Sequence, residues 1–256
     1  MISTNKEKIG FTLIVLITLM SLLAVFFQDP IAQDTNYHNF RDSKEIFSIQ
    51  NFWNVLSNLP FLIVGILGLY KVLVTDTLKI IGDIKIAYSL LFFGVTLIAL
   101  GSAYYHLWPN NQTLVWDRLP MTIAFMSLFS IIISEFISTR AGKALLLPLI
   151  IVGISSVIYW HLSEIQGAGD LRFYALVQFY PMLIIPLILI CFNSRCSKAK
   201  AYWLLLVAYV VAKALEHFDD EVYNTLGFIS GHSIKHIVAA LGLYILYISY
   251  LRRSCT

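Results

Sequence analysis

The feature that most constrains this chain is a recurrence of apolar runs about 20 residues long, the helix length that crosses a bilayer core. Eight are read, at roughly 9–27, 52–74, 84–105, 119–138, 144–160, 173–192, 201–216 and 230–251. None shows the period-2 alternation of a membrane barrel, whereas a helix satisfies its backbone hydrogen bonds within one segment. The pattern therefore predicts an all-α integral membrane protein. Of 256 residues, 58% are hydrophobic and 13% charged, against about 25% charged in a soluble domain. That balance excludes a soluble enzyme, a nucleic-acid-binding module and a disordered chain. Cys191, Cys196 and Cys255 follow no repeated spacing, so neither a disulfide framework nor a thiolate metal site is expected.

Lys and Arg sort the span ends into two sides. One side collects Lys6, Lys8, Lys71, Lys79, Lys85, Arg140, Lys143, Arg195, Lys198, Lys200, Arg252 and Arg253, which is 12 of the 18 basic residues. The other holds only Arg41, Lys44, Arg118 and Arg172, while Lys213 and Lys235 fall inside spans. Eight spans alternate without conflict, which places both termini in the cytoplasm. The first span reads as an uncleaved anchor, because no small-x-small cleavage site follows Gln28-Asp29-Pro30. The expected organisation is an anchor helix over 1–28, a periplasmic segment over 29–50 and a seven-helix core over 51–256.

Ionisable groups in membrane helices are costly and mark function, and here they gather at one level. Ser102 and His106 are four apart at the end of the third span, and His232 and His236 are four apart at the start of the eighth. Asp117 stands near the start of the fourth. Residues four apart share a helix face, so three imidazoles, one carboxylate and one hydroxyl meet near the outer surface. Zinc takes a three-histidine set and leaves its fourth position to water, whose pKa it brings near 7. Asp117 is then placed to accept a proton and Ser102 to donate to a developing oxyanion. Taken singly each has another reading: Asp117 as a helix N-cap, Ser102 bonded back to its own helix, each histidine at an interface.

Other polar residues carry less. Lys213 and Glu216 are spaced to pair, and Lys235 points away from its histidine neighbours, toward a partner such as Glu216 or Asp219. Phe218-Asp219-Asp220-Glu221 reads as a solvated loop, and His38, His161 and His217 as interfacial. Trp53, Trp108, Trp160 and Trp203 read as interface anchors. Tyr174, Gln178 and Tyr180 fit either a cavity lining or bundle packing.

The combination SAYYH, WDRLPM and SGHSIKH resembles the alkaline ceramidase family, within the wider group of seven-helix membrane hydrolases that includes the adiponectin and progestin receptors. Asn51 to Gly65 resembles the family's first core helix, and Gly169 to Pro181 its bacterial branch, so the resemblance covers roughly residues 36–251. It implies a zinc amidase that splits ceramide into a sphingoid base and a fatty acid, in a bacterial inner membrane with the site toward the periplasm. His106, His232 and His236 would be the zinc ligands, with Asp117 and Ser102 catalytic. Eukaryotic members bind calcium through an acidic cluster before the first core helix. This chain departs there, with Asn51 in place of a glutamate, and leaves Asp34, Asp42 and Glu45 as candidate calcium ligands in another arrangement. The rival readings are hydrolysis of another N-acyl lipid amide, a non-catalytic receptor-like protein with structural zinc, and a proton-coupled transporter. Membrane lipids and a lipid amide are the expected partners, and no nucleic acid.

Overall fold

The computed structural model describes residues 4–255; residues 1–3 of the expected anchor and residue 256 lie outside them. Ten α-helices follow one another: α1 Asn5–Phe27, α2 Phe52–Leu56, α3 Leu59–Leu73, α4 Lys85–Leu107, α5 Asn111–Phe136, α6 Thr139–Ile165, α7 Arg172–Cys191, α8 Lys200–His217, α9 Asp219–Leu226 and α10 Gly231–Arg252. Seven spans are long and apolar enough to cross a bilayer, with α2 and α3 forming one of them, and α8 and α9, bent by 78° at their break, pass the same test only when taken together. This is the all-α membrane architecture that the apolar runs predict.

The ends follow from local chemistry. Thr4 caps α1 in a reciprocal box with Glu7, and Asn110 caps α5 by accepting from Gln112 and Thr113. Asp117 is therefore no N-cap: α5 begins two turns earlier than its apolar run does. Phe218 to Glu221 is not a loop either, because Asp219 opens α9 and its Oδ1 accepts the His232 N–H at 2.6 Å. Trp160 is fully buried rather than interfacial.

Helix α5 runs through the middle, against α4, α6 and α7, while α3 packs on α4 and α10 on both α3 and α8. Helix α1 lies outside this bundle on α7, where Thr18 meets the Tyr180 hydroxyl at 2.6 Å and Phe11 meets Phe192 edge-on. At the basic end Arg253 is buried and ion-paired to Glu135 at 2.6 Å, with the Tyr88 hydroxyl donating to the same carboxylate at 2.6 Å. Cys196 and Cys255 form a disulfide there, against the expectation from their spacing. Their separation of 59 positions hides a contact that antiparallel pairing of two short segments creates.

Candidate metal centre

The site forms where three helix ends meet, and two local features bring them together. Pro120 lacks the N–H that would bind the Trp116 carbonyl, so α5 leaves that oxygen free of its own ladder. Gly101 of α4 comes against it: a Cβ at Gly101 would lie 1.9 Å from the Trp116 oxygen. Only glycine permits this approach, which brings the Ser102 and Asp117 turns together, and both residues line one cavity. Gly231 does the same for α10, since a Cβ there would lie 2.1 Å from the Leu215 oxygen of α8.

His106, His232 and His236 are all buried, and one ligating nitrogen from each lies within 4.8 Å of the others. Their ring centroids are 4.9 to 5.2 Å apart. Three neutral imidazoles this close fit one cation: His106 Nδ1 has no hydrogen-bond partner, and His236 Nδ1 rests on the Ser57 hydroxyl at 2.9 Å. Among the described residues this is the only group of three metal-ligating side chains, so Asp34, Asp42 and Glu45 do not converge. Asp34 caps a 3₁₀ turn, and Asp42 accepts the Lys44 N–H while burial raises its carboxyl above the ordinary range.

Several participants were invisible in the sequence. Phe40 covers the centre, its ring 4.6 Å from His106 and 4.8 Å from His232. His38 is not a free interfacial residue, since it links the Tyr105 hydroxyl at 2.9 Å to Asn111 at 2.8 Å. Asn51 occupies a left-handed conformation at φ 50° and donates to the His106 carbonyl at 2.8 Å. The signal for Asn51, Ser57 and Asn58 was an excess of small amides and hydroxyls at the start of an otherwise apolar span. For Phe40 there was none.

Ser102, Asp117 and His236 open onto a cavity of about 260 Å³. Its deeper wall is apolar, from Leu91, Leu128, Ile132, Ile185 and Leu206, and Tyr202 stands near its basic end. Tyr174 and Gln178 line it, whereas Tyr180 serves the α1 contact. Glu216 stands at its polar end with Lys213 on one oxygen and Lys235 at 2.6 Å on the other, the pairings expected from spacing. The Tyr37 hydroxyl donates to the same carboxylate at 3.3 Å, and burial, then Glu216, holds that phenol well above its ordinary pKa.

The buried histidine triad thus lies beside a carboxylate at the polar end of a largely apolar cavity. Comparison with curated proteins gives no match. The family model described as Ceramidase matches residues 39–255, which takes in α2 to α10, the triad, Ser102 and Asp117, and the chain belongs to that family of hydrolases acting on the amide bond of ceramide.

Proposed function

We propose that this protein is a zinc-dependent amidase that cleaves the N-acyl bond of ceramide-type lipids. The observation that carries the reading is the convergence of His106, His232 and His236 on one point, next to Asp117 and the apolar cavity. The three histidines would hold the ion, leaving a fourth position for a small ligand. Zinc in such a set supplies Lewis acidity and lowers the pKa of water at neutral pH.

The chain's own residues do the rest. The apolar wall takes an acyl chain and excludes water, which leaves the amide at the polar end. Asp117 accepts a proton from the attacking water and returns it to the amine nitrogen as the C–O bond forms and the C–N bond breaks. Ser102 donates to the Asp117 carboxylate, and once Asp117 carries the proton Ser102 accepts from it and turns its own hydrogen to the carbonyl oxygen. Phe40 keeps bulk water from the imidazoles. A purely structural ion would be closed by a fourth protein ligand, and none is among the described residues.

The twelve basic residues at the end opposite the site support a reading with that end in the cytoplasm and the site toward the periplasm. The Cys196–Cys255 bond argues the other way, because cytosolic thiols are ordinarily kept reduced. The charge signal draws on both termini and three loops, whereas the bond is a single contact.

Fatty-acid release, read by mass spectrometry from a panel of ceramides and other N-acyl lipids, tests the reading. Release from ceramide by the wild type, lost in His106→Ala, is expected. Full turnover by His106→Ala would remove the site assignment, and release from other amides alone would change the substrate.

A further inference from the structure

The cavity beside the histidines is long as well as apolar, and its depth can be counted along the helices that line it. On α5 the lining runs from Asp117 to Ile132, fifteen positions or about 22 Å at the helical rise. On α8 it runs from Glu216 to Tyr202, fourteen positions or about 21 Å. The two helices agree, so Ile132 and Tyr202 stand at one level, far from the site. An extended carbon chain advances about 1.2 Å per bond, as an extended backbone does. A straight chain of about 16–18 carbons, with its carbonyl at Asp117, therefore reaches that level.

Tyr202 is built to stop a chain there. It is 2% exposed, its ring meets Phe136 at a centroid distance of 6.0 Å, and its hydroxyl lies 3.2 Å from that of Tyr250. Tyr250 is fully buried under the Arg253 guanidinium, which is paired with Glu135. Phe136, Glu135, Tyr250 and Arg253 do not line the cavity, so the Tyr202 ring stands between it and the buried ion pair. A longer chain must push that ring aside and bring methylenes against charges whose hydrogen bonds they cannot replace, which is costly. The side walls, with Leu128, Ile185 and Leu206, offer a saturated chain nothing polar to be recognised by. What this part of the cavity can read is length.

We propose that Tyr202 is a specificity-determining residue that sets the acyl-chain length of the lipid amide, accepting chains of up to about 18 carbons and excluding longer ones by its ring. The proposal rests on the amidase reading for the position of the carbonyl. Full-length, zinc-loaded protein in detergent is given N-lauroyl, N-palmitoyl, N-stearoyl and N-behenoyl sphinganine, and both equilibrium binding and kcat/KM are measured. Each is divided by the N-lauroyl value, which removes any general loss of activity in a variant. In the wild type the ratio is expected to hold through stearoyl and to fall about tenfold at behenoyl, the usual cost of one methylene too many in a packed site. Tyr202→Leu should restore the behenoyl ratio, whereas Tyr202→Trp should lower the stearoyl ratio. Opposite shifts cannot come from destabilisation, and either variant alone tests the proposal if the other does not fold. Tyr202→Phe, which keeps the ring, should keep the wild-type limit. A wild type without a limit, a limit unmoved in the leucine and tryptophan variants, or one that follows the length of the sphingoid base instead overturns the proposal. A limit in binding that moves with Tyr202, in protein that turns over no amide, would sink the amidase reading alone.

Discussion

At the scale of single residues, the ligand His236 is positioned by a short chain of hydrogen bonds. Ser57 Oγ lies 2.9 Å from its Nδ1 and 3.1 Å from the Asn54 carbonyl, while Asn54 Oδ1 accepts from Ser233 at 2.6 Å. The carbonyl can only accept, so the Ser57 hydrogen goes to it and the Ser57 oxygen receives the His236 Nδ1–H. That assignment, inferred from the partners, leaves Nε2 free for an ion. Partners of this kind are worth roughly 10–100-fold in metal affinity. Ser57→Ala is accordingly expected to weaken zinc binding by about that factor in competition with a chelator, with Ser57→Thr retaining it. An unchanged affinity in Ser57→Ala would remove Ser57 from the centre. Ser102, His106, His232 and His236 were legible because Ser-x₃-His and His-x₃-His spacings put chemistry on one helix face, and Asp117 because it stands near the start of the next span at the same level. Ser57 and Phe40 were not, since their roles depend on what tertiary packing sets beside them.

Among the elements, α4 and α5 carry the site through one close approach. Gly101→Ala places a methyl 1.9 Å from the Trp116 oxygen, so the helices must separate at Ser102 and Asp117. We expect a loss of about 1–3 kcal/mol in reversible unfolding, the usual range for overpacking. Ceramide turnover should fall with zinc still bound, because all three histidines remain. Wild-type stability in that variant would show that α4 and α5 do not depend on the contact. Helix α1 is fastened differently. Arg172 donates twice to Asp170, at 2.8 Å each, and reaches the carbonyls of Val25 and Gln28 at the end of α1. The hydrogen bond from Arg172 holds the Asp170 carboxyl below its ordinary pKa of 3.8. A depressed carboxylate stabilises the fold above the unfolded pKa, and the contribution is lost as pH falls through the folded one. Asp170→Asn should therefore lower the melting temperature in detergent at pH 6 to 7, with the gap to wild type closing below about pH 4. A gap independent of pH would mean that the carboxylate's charge contributes nothing.

Over the whole molecule, the eight spans were legible because bilayer thickness fixes their length, whatever their packing. The boundaries were less so. Helix α5 begins at Asn111, eight residues before its apolar run, since Asn110 and Thr113 supply a cap that hydropathy does not register. The break between α2 and α3 and the bend before α9 also escaped, because both are made by polar residues bonded across the site, as when Asp219 accepts from His232. Phe40 and Tyr37 lie over the site, and the buried pair of Arg253 with Glu135, with Tyr88 and Tyr250 around it, stands at the basic end near Tyr202. Between them lies the apolar cavity in which the lipid would sit. The most direct test of the account is to measure zinc content and ceramide hydrolysis together, in wild type and His232→Ala, through chelation and re-addition of zinc. About one zinc per wild-type chain is expected, with activity that leaves and returns with the metal, and neither metal nor activity in His232→Ala. Ceramide hydrolysis that persists at full rate in the metal-free protein would contradict it.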